Sequence, residues 1–280
     1  MKLEKLIDAL AANAAEANKA ETGDYIDDDG LLVCGKCGTR KQTIVEILGS
    51  TRTVSCMCKC RADAIKAEEE RRKQEERNRR IKDLRRMGFP DGDLVNCTFE
   101  NDDRQNERIT NALQKYADNF RKYRDSGKGL LLWGDVGTGK TFYASCIANA
   151  VINQGMPALV TNFGRLTNII GGTFEGKQNY IDSLNDFELL VIDDLGVERR
   201  SEYMQEMIYN IIDSRYRSGL PLIITTNLSL DEIKKPAEMA YTRIYDRVLE
   251  MCHPIQIAGN SRRRAEVRRT YFSMNDELGL

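Results

Sequence analysis

The stretch Gly134-Asp135-Val136-Gly137-Thr138-Gly139-Lys140-Thr141 decides how this chain is read, because it meets the pattern G-x-x-x-x-G-K-S/T at every fixed position. Its flanks agree with it. Gly129-Leu-Leu-Leu-Trp133 ahead reads as a buried strand, and the residues from Phe142 to Asn153 behind read as a helix. That strand, loop and helix context separates a phosphate loop from a chance glycine-rich turn. The glycines let the backbone wrap an anion, and the loop amides and helix N-terminus face the phosphates. Lys140 reaches the terminal phosphates, the Thr141 hydroxyl can ligate Mg²⁺, and Phe142 opens the helix. The expected ligand is a nucleoside triphosphate.

Working outward, apolar runs at Leu130 to Trp133, Ala158 to Thr161, Leu189 to Ile192 and Leu222 to Thr225 are short, bounded by breakers and separated by helical segments. Such alternation predicts an α/β fold with a doubly wound parallel sheet, four central strands and a fifth, Ile255-Gln-Ile257, closing an edge. The third run ends in Asp193 and Asp194, the form of a Walker B segment. Asp193 would hold Mg²⁺ and Asp194 would orient and polarise the attacking water. The fourth run ends in Asn227, whose amide could touch the γ-phosphate or the water. A phosphate loop, an acid pair and a strand-terminal Asn on successive elements point to an ATPase engine and away from a small-molecule kinase.

Ahead of this engine the chain changes character. At 280 residues it accommodates one sizeable α/β domain and a smaller appendage. Residues 1–20 carry Leu3, Leu6, Ile7 and Leu10 at helical spacing, which predicts a short amphipathic helix serving either as core or as docking face. There is no apolar stretch long enough to span a bilayer and no apolar signal-peptide core, so the expected location is the cytoplasm. Five of the eight cysteines crowd between Cys34 and Cys60, and in a reducing compartment that crowding points to metal. Cys34-x-x-Cys37 supplies one zinc knuckle. In the second cluster Cys56, Cys58 and Cys60 compete for two places; Cys58 and Cys60 are the expected ligands, with Cys56 as the substitute. Free buried thiols or a redox site are the competing readings, and the isolated Cys97, Cys146 and Cys252 read as small core residues. The only histidine, His253, reads as structural. Residues 1–60 thus form a zinc module with a hairpin at Ile44 to Leu48 and Thr51 to Val54. Residues 61–87 form a charged helical linker, with a nucleic-acid-binding arm as the alternative, and Met87-Gly-Phe-Pro90 ends it. Residues 88–280 form the ATPase domain. Net charge is only −1, so any nucleic-acid affinity has to come from local patches such as Arg262, Arg264, Arg268 and Arg269.

The segment DLGVERRSEYMQEMIYNIIDSRYRSGLPLIITTNLSLDEI, with TRIYDRVLEMC and GNSRRR, resembles the AAA+ ATPase domain of DnaC-type and DnaI-type replicative helicase loaders and the related IstB ATPases, over roughly residues 88–270. The cysteine-rich N-terminal module resembles that of DnaI-like and prophage loaders, where such a domain contacts the helicase. The resemblance implies that Asn227 is sensor 1. It implies that Arg247, in Arg243-Ile-Tyr-Asp-Arg247, is an arginine finger entering a neighbouring subunit's site, and that Arg263, in Gly259-Asn-Ser-Arg-Arg263, is sensor 2. Thr173-Phe174 and Ser201-Glu-Tyr203 resemble DNA-contacting positions, although Phe174 and Tyr203 also suit ordinary packing. Asp194 stands where many relatives carry Glu, and its shorter reach implies slow hydrolysis suited to a switch. The implied function is ATP-dependent loading of a hexameric helicase onto single-stranded DNA, with self-association, Mg²⁺ and zinc. An IstB-like ATPase partner of a transposase and a zinc-bearing single-strand DNA-binding protein with structural nucleotide are the alternatives.

Overall fold

A computed structural model of the chain describes residues 19–47, 49–90, 92–172, 176–196, 201–236 and 238–278, with the side chains at positions 47, 263–266, 268 and 269 excepted. Most of the expected N-terminal helix lies outside the described residues, as do Thr173 and Phe174 and the side chain of Arg263. The chain divides into two compact units, residues 1–78 and 79–280.

In the first unit β1 (Tyr25–Ile26) pairs antiparallel with β2 (Leu32–Val33), and β3 (Gln42–Ile47) with β4 (Ser50–Ser55). The second pair is the expected hairpin, one or two residues longer at its outer ends. The first is too short to leave a periodic signal and is held by polar contacts. Asp24 accepts from Lys41 Nζ at 2.6 Å and from the N–H groups of Glu21 and Gly35, and the Asp24 and Lys41 side chains are only 3% and 2% exposed. The Glu21 N–H and then Lys41 hold the Asp24 carboxyl at about 2. Apart from Leu31, Val33, Cys34 and Cys58, little apolar surface is covered here, and β3 and β4 are largely exposed.

Helix α1 (Lys59–Gly88) runs through the predicted charged segment and ends just before Phe89-Pro90, as the proline requires. Along it Arg71 bridges Glu68 at 2.6 Å and Glu75 at 3.9 Å.

After α1 the second unit continues through α2 (Glu107–Asp118), α3 (Phe120–Asp125), β5 (Gly129–Trp133), α4 (Lys140–Asn153), β6 (Ala158–Asn162), α5 (Phe163–Gly172) and α6 (Lys177–Ser183). It then runs through β7 (Leu189–Leu195), α7 (Glu202–Ser218), β8 (Leu222–Thr226), α8 (Leu230–Lys234), α9 (Met239–Met251), β9 (Cys252–Gln256) and α10 (Arg262–Leu278). All pairings in its five-stranded sheet are parallel and the order is β6-β7-β8-β5-β9, the arrangement expected of an AAA+ P-loop NTPase. Leu130, Leu132, Leu189, Val191 and Ile223 pack on α2 and α4, whereas Leu131, Leu190, Ile192, Leu222 and Ile224 pack on α5, α7 and α9. Both faces of every central strand are therefore covered, which is why these strands read as unbroken apolar runs. The edge strand starts at Cys252, three residues earlier than expected, and tolerates Pro254 because an edge offers a free side.

At the amino ends of β7 and β8, Arg215 (1% exposed) donates to the carbonyls of Leu184, Phe187, Glu188 and Pro221. This fixes one end of the sheet and leaves the carboxyl ends for the site. No described helix is long and apolar enough to cross a membrane.

Candidate functional site: a phosphate loop facing an acid pair

The phosphate loop leaves the central strand β5 and enters α4. Gly137 and Gly139 have φ of +84° and +98°, a region that side chains with a Cβ rarely adopt. Thr138 Oγ1 donates to Asp135 O at 2.9 Å and braces the turn. Gly139 is the N-cap of α4 and no side chain caps it, so the first amides of the helix and its positive dipole end point into the cradle. Val136, Gly137, Gly139, Lys140, Thr141, Phe142, Asp194, Asn227 and Arg262 line a cleft of about 360 Å³, large enough for a small-molecule ligand. Gly134 and Asp135 take part through their carbonyls.

Inside the cleft Lys140, only 5% exposed, donates to Gly134 O at 2.9 Å, Asp135 O at 2.7 Å and Asn227 Oδ1 at 2.7 Å. These are neutral acceptors that an anionic phosphate would displace. The Thr141 hydroxyl lies 2.8 and 3.0 Å from the two carboxylate oxygens of Asp193. Burial pushes the Asp193 pKa above its usual 3.8, against the hydrogen bonds from Thr225 and Thr141 that lower it. A carboxyl raised by desolvation regains its charge beside a divalent cation, and a hydroxyl with a carboxylate is the hard oxygen set Mg²⁺ prefers.

The acid pair is aimed by a bulge. Ile192 pairs with Ile224 and Leu195 with Thr226, so three steps along β7 match two along β8. Within it Asp194 adopts φ 58°, the left-handed region in which Asp is among the tolerated residues. Thr225, fully buried, holds the bulge from the neighbouring strand. Its Oγ1 donates to Asp193 Oδ1 and accepts the Asp194 N–H at 2.9 Å. The sequence reading missed Thr225; its only signal is a pair of hydroxyl residues, Thr225-Thr226, at the end of an otherwise aliphatic strand.

The arginines are placed differently. Arg243 is exposed on α9. Arg247 is half-buried within its own chain: it pairs with Asp213 at 3.5 Å and Glu250 at 3.6 Å, and stacks 4.0 Å over the Tyr216 ring. Near the phosphate loop, the described guanidinium of the Arg262-Arg263 pair is that of Arg262. The Ser201 hydroxyl caps α7 by accepting the Met204 N–H at 3.2 Å. Tyr203 is 45% exposed, with Lys177 Nζ 5.4 Å from its ring centre.

In the N-terminal unit the sulfurs of Cys34, Cys37, Cys58 and Cys60 all lie within 4.8 Å of one another. Tetrahedral zinc with Zn–S bonds of about 2.3 Å requires sulfurs about 3.8 Å apart. Cys34 and Cys58 approach Cys60 at 3.6 and 3.4 Å. Cys56 turns away and donates to Arg40 O at 3.4 Å, so the cluster groups Cys58 and Cys60. The Thr39 hydroxyl and the Cys60 N–H lower the Cys37 thiol to about 6, whereas the thiols of Cys58 and Cys34 push Cys60 up to about 12. Four thiols this close cannot all ionise without a cation among them. Cys146 and Cys252 are buried, and Cys97 half-buried, as small core residues.

The profile of the family described as IstB-like ATP binding protein matches residues 49–270. The replicative helicase loader DnaI of Bacillus subtilis (strain 168) is 30% identical over 188 residues, covering 61% of this chain and 60% of that protein. The replicative helicase loader DnaC of Escherichia coli (strain K12) is 29% identical over 157 residues, covering 55% and 63%. The chain thus spans about three fifths of the length of these curated relatives. A crystal structure of DnaI superimposes with a TM-score of 0.50 at 23% identity, covering 60% of this chain and 92% of that one, a likeness of fold. With the family profile covering most of its length and the phosphate loop, acid pair and parallel sheet all in place, this chain belongs to the IstB-like ATP-binding family.

Proposed function

We propose that this protein is an ATP-dependent loader of a hexameric replicative helicase, delivering it to single-stranded DNA and releasing it on hydrolysis. One observation carries the reading. Two hydrogen-bonded pairs, Lys140 with Asn227 and Thr141 with Asp193, stand side by side at the uncapped amides of α4, in a chain whose curated relatives are named replicative helicase loaders.

In this reading Lys140 exchanges its carbonyl partners for the terminal phosphates of ATP, which frees the Asn227 amide to hold the γ-phosphate or the attacking water. Asp194 orients that water and draws on its proton. Thr141 and Asp193 would hold Mg²⁺, which when bound spreads and neutralises charge on the phosphate oxygens. Arg247 or Arg243 completes a neighbouring subunit's site, so assembly belongs to the mechanism. An arginine placed against developing phosphate charge is worth about 10³ to 10⁵ in rate. The exposed Tyr203 ring, with Ser201 beside it at the start of α7, offers a stacking surface for single-stranded DNA, and the resemblance gives Thr173 and Phe174 the same role. Cys34, Cys37, Cys58 and Cys60 would hold Zn²⁺, which supplies on the order of 10 kcal/mol to a unit with little core of its own. The expected location is the cytoplasm.

Lys140→Ala is the first test: Mg²⁺-dependent phosphate release should disappear, and unchanged turnover would refute the engine. Mixing Lys140→Ala with Arg247→Ala subunits should restore turnover if the arginine acts across an interface. The alternative reading is an IstB-like ATPase partner of a transposase. Affinity capture from the native host with and without ATP distinguishes the two, by recovering either a hexameric helicase or a transposase.

A further inference from the structure

Arg262 is held by several groups of its own chain. Nη1 donates to Asp102 Oδ1 at 3.0 Å and Nη2 to the Tyr143 hydroxyl at 2.9 Å, and Nη2 also forms an ion pair with Asp103 Oδ1 at 2.9 Å. Its backbone N–H donates to Gly137 O at 2.9 Å, and its guanidinium carbon lies 5.2 Å from the centre of the Tyr143 ring. The Asp102 side chain is 0% exposed and also accepts from the Thr110 hydroxyl. One residue therefore ties together three segments that the sequence keeps far apart: the strap before α2, the phosphate-loop helix α4 and the first turn of α10. The closeness is confirmed at the loop itself, where a Cβ on Gly137 would come 2.2 Å from Ser261 Oγ and one on Gly139 would come 3.4 Å from Arg262 Nε. Enclosed by the same three segments is a second cavity of about 170 Å³, lined by Asn106, Thr138, Tyr143, Ile257, Asn260 and Arg262. Arg262 borders both this cavity and the phosphate-loop cleft.

We propose that the Asp102–Arg262 ion pair is a latch that holds the start of α10 against the phosphate loop, making Arg262 a positioning residue for nucleotide retention. This rests on the reading of the cleft as a nucleotide site. Because the guanidinium is spent on Asp102, Asp103 and Tyr143, its effect falls on how long nucleotide stays and not on the bond-breaking step. Ground-state and transition-state binding then weaken together, which raises KM and leaves kcat. A residue that contacts the reacting phosphate would show the reverse.

The test is a titration of full-length protein with a fluorescent ATP analogue, alongside steady-state phosphate release, for Arg262→Gln, Asp102→Asn and the double variant. Either single change strands one partner of a buried pair and can destabilise the fold. The double variant strands neither, and its thermal midpoint without nucleotide should remain near the parent's. We expect analogue binding to weaken about tenfold in all three, the double variant no worse than the singles because one shared interaction is lost, with KM raised and kcat within about twofold. Parent-like affinity in a folded double variant overturns the latch, as does a fall in kcat at unchanged KM. Lys140→Ala separates the two failures. If the parent binds no nucleotide, or Lys140→Ala binds as well as the parent, the site reading fails; if Lys140→Ala loses binding and the double variant does not, only the latch fails.

Discussion

Replacing Thr225 by Val changes one atom's chemistry and almost none of the shape. Both residues are β-branched and suit a buried strand, so packing of β8 between β7 and β5 is retained. What disappears is the hydroxyl that donates to Asp193 Oδ1 and accepts the Asp194 N–H at 2.9 Å. A hydrogen bond to a charged carboxylate contributes about 1.5 to 3 kcal/mol, and a stranded buried N–H costs about 1 to 3 kcal/mol. The sum, about 2.5 to 6 kcal/mol, is a large part of the roughly 5 to 15 kcal/mol that holds a typical domain together. Groups that orient a metal-binding carboxylate typically change metal affinity or rate by about 10- to 100-fold when lost. Urea unfolding of the nucleotide-free protein and a Mg²⁺ titration of phosphate release read the two effects separately. Thr225→Ser, which keeps the hydroxyl, should recover most of both. The reasoning is refuted if Thr225→Val unfolds at the parent's urea midpoint with an unchanged Mg²⁺ requirement, or if Thr225→Ser is as impaired as Thr225→Val.

Asp193→Asn should raise the unfolding midpoint of the nucleotide-free protein while abolishing Mg²⁺-dependent turnover. With a native pKa above 3.8, the carboxyl binds its proton more tightly folded than unfolded. Stability is therefore lost as pH rises from 3.8 through the native pKa, and the neutral amide escapes that loss. Thermal melts of both proteins at pH 4 and pH 7 check it, the gap between them widening at pH 7. Asp24 behaves oppositely: held at about 2 by the Glu21 N–H and Lys41, it stabilises the N-terminal unit above 3.8, and that stability disappears as pH falls from 3.8 through about 2. Near-neutral protein and Asp24→Asn, compared by hydrogen exchange of the Gly35 amide between pH 5 and pH 2, should converge at the acid end. Metal analysis of purified protein should find about one zinc per chain in Cys56→Ser and none bound in Cys58→Ser; equal content in the two would break the ligand assignment.

The fold was legible because its strands are short aliphatic runs between helices, and the phosphate loop carries its own context in sequence. Which face each strand residue takes was not, since both faces are apolar and no period-two signal survives; only the packing separates Leu130 and Leu132 from Leu131. Pro254 shortened the expected edge strand, although an edge is where a strand accommodates proline. In the site, Lys140, Thr141, Asp193 and Asn227 follow from pattern. Thr225 and Asp102 do not, because each acts through a partner on another element, and Asp102 meets Arg262 across a separation of 160 residues. One-residue spacing left Cys56, Cys58 and Cys60 equivalent until the fold turned Cys56 toward Arg40.

The bulge in β7 makes this edge of the sheet sensitive to residue count as well as residue identity. In a regular strand neighbouring side chains diverge to opposite faces, so two consecutive acids could not both serve one cleft. Here the extra residue between Ile192 and Leu195 allows it. That interval holds only Asp193 and Asp194, so deleting either one would restore an unbroken ladder with β8 and leave a single acid where the bulge presents two. Length changes, ordinarily harmless where a strand gives way to a loop, would here silence the site as thoroughly as loss of Asp193 itself.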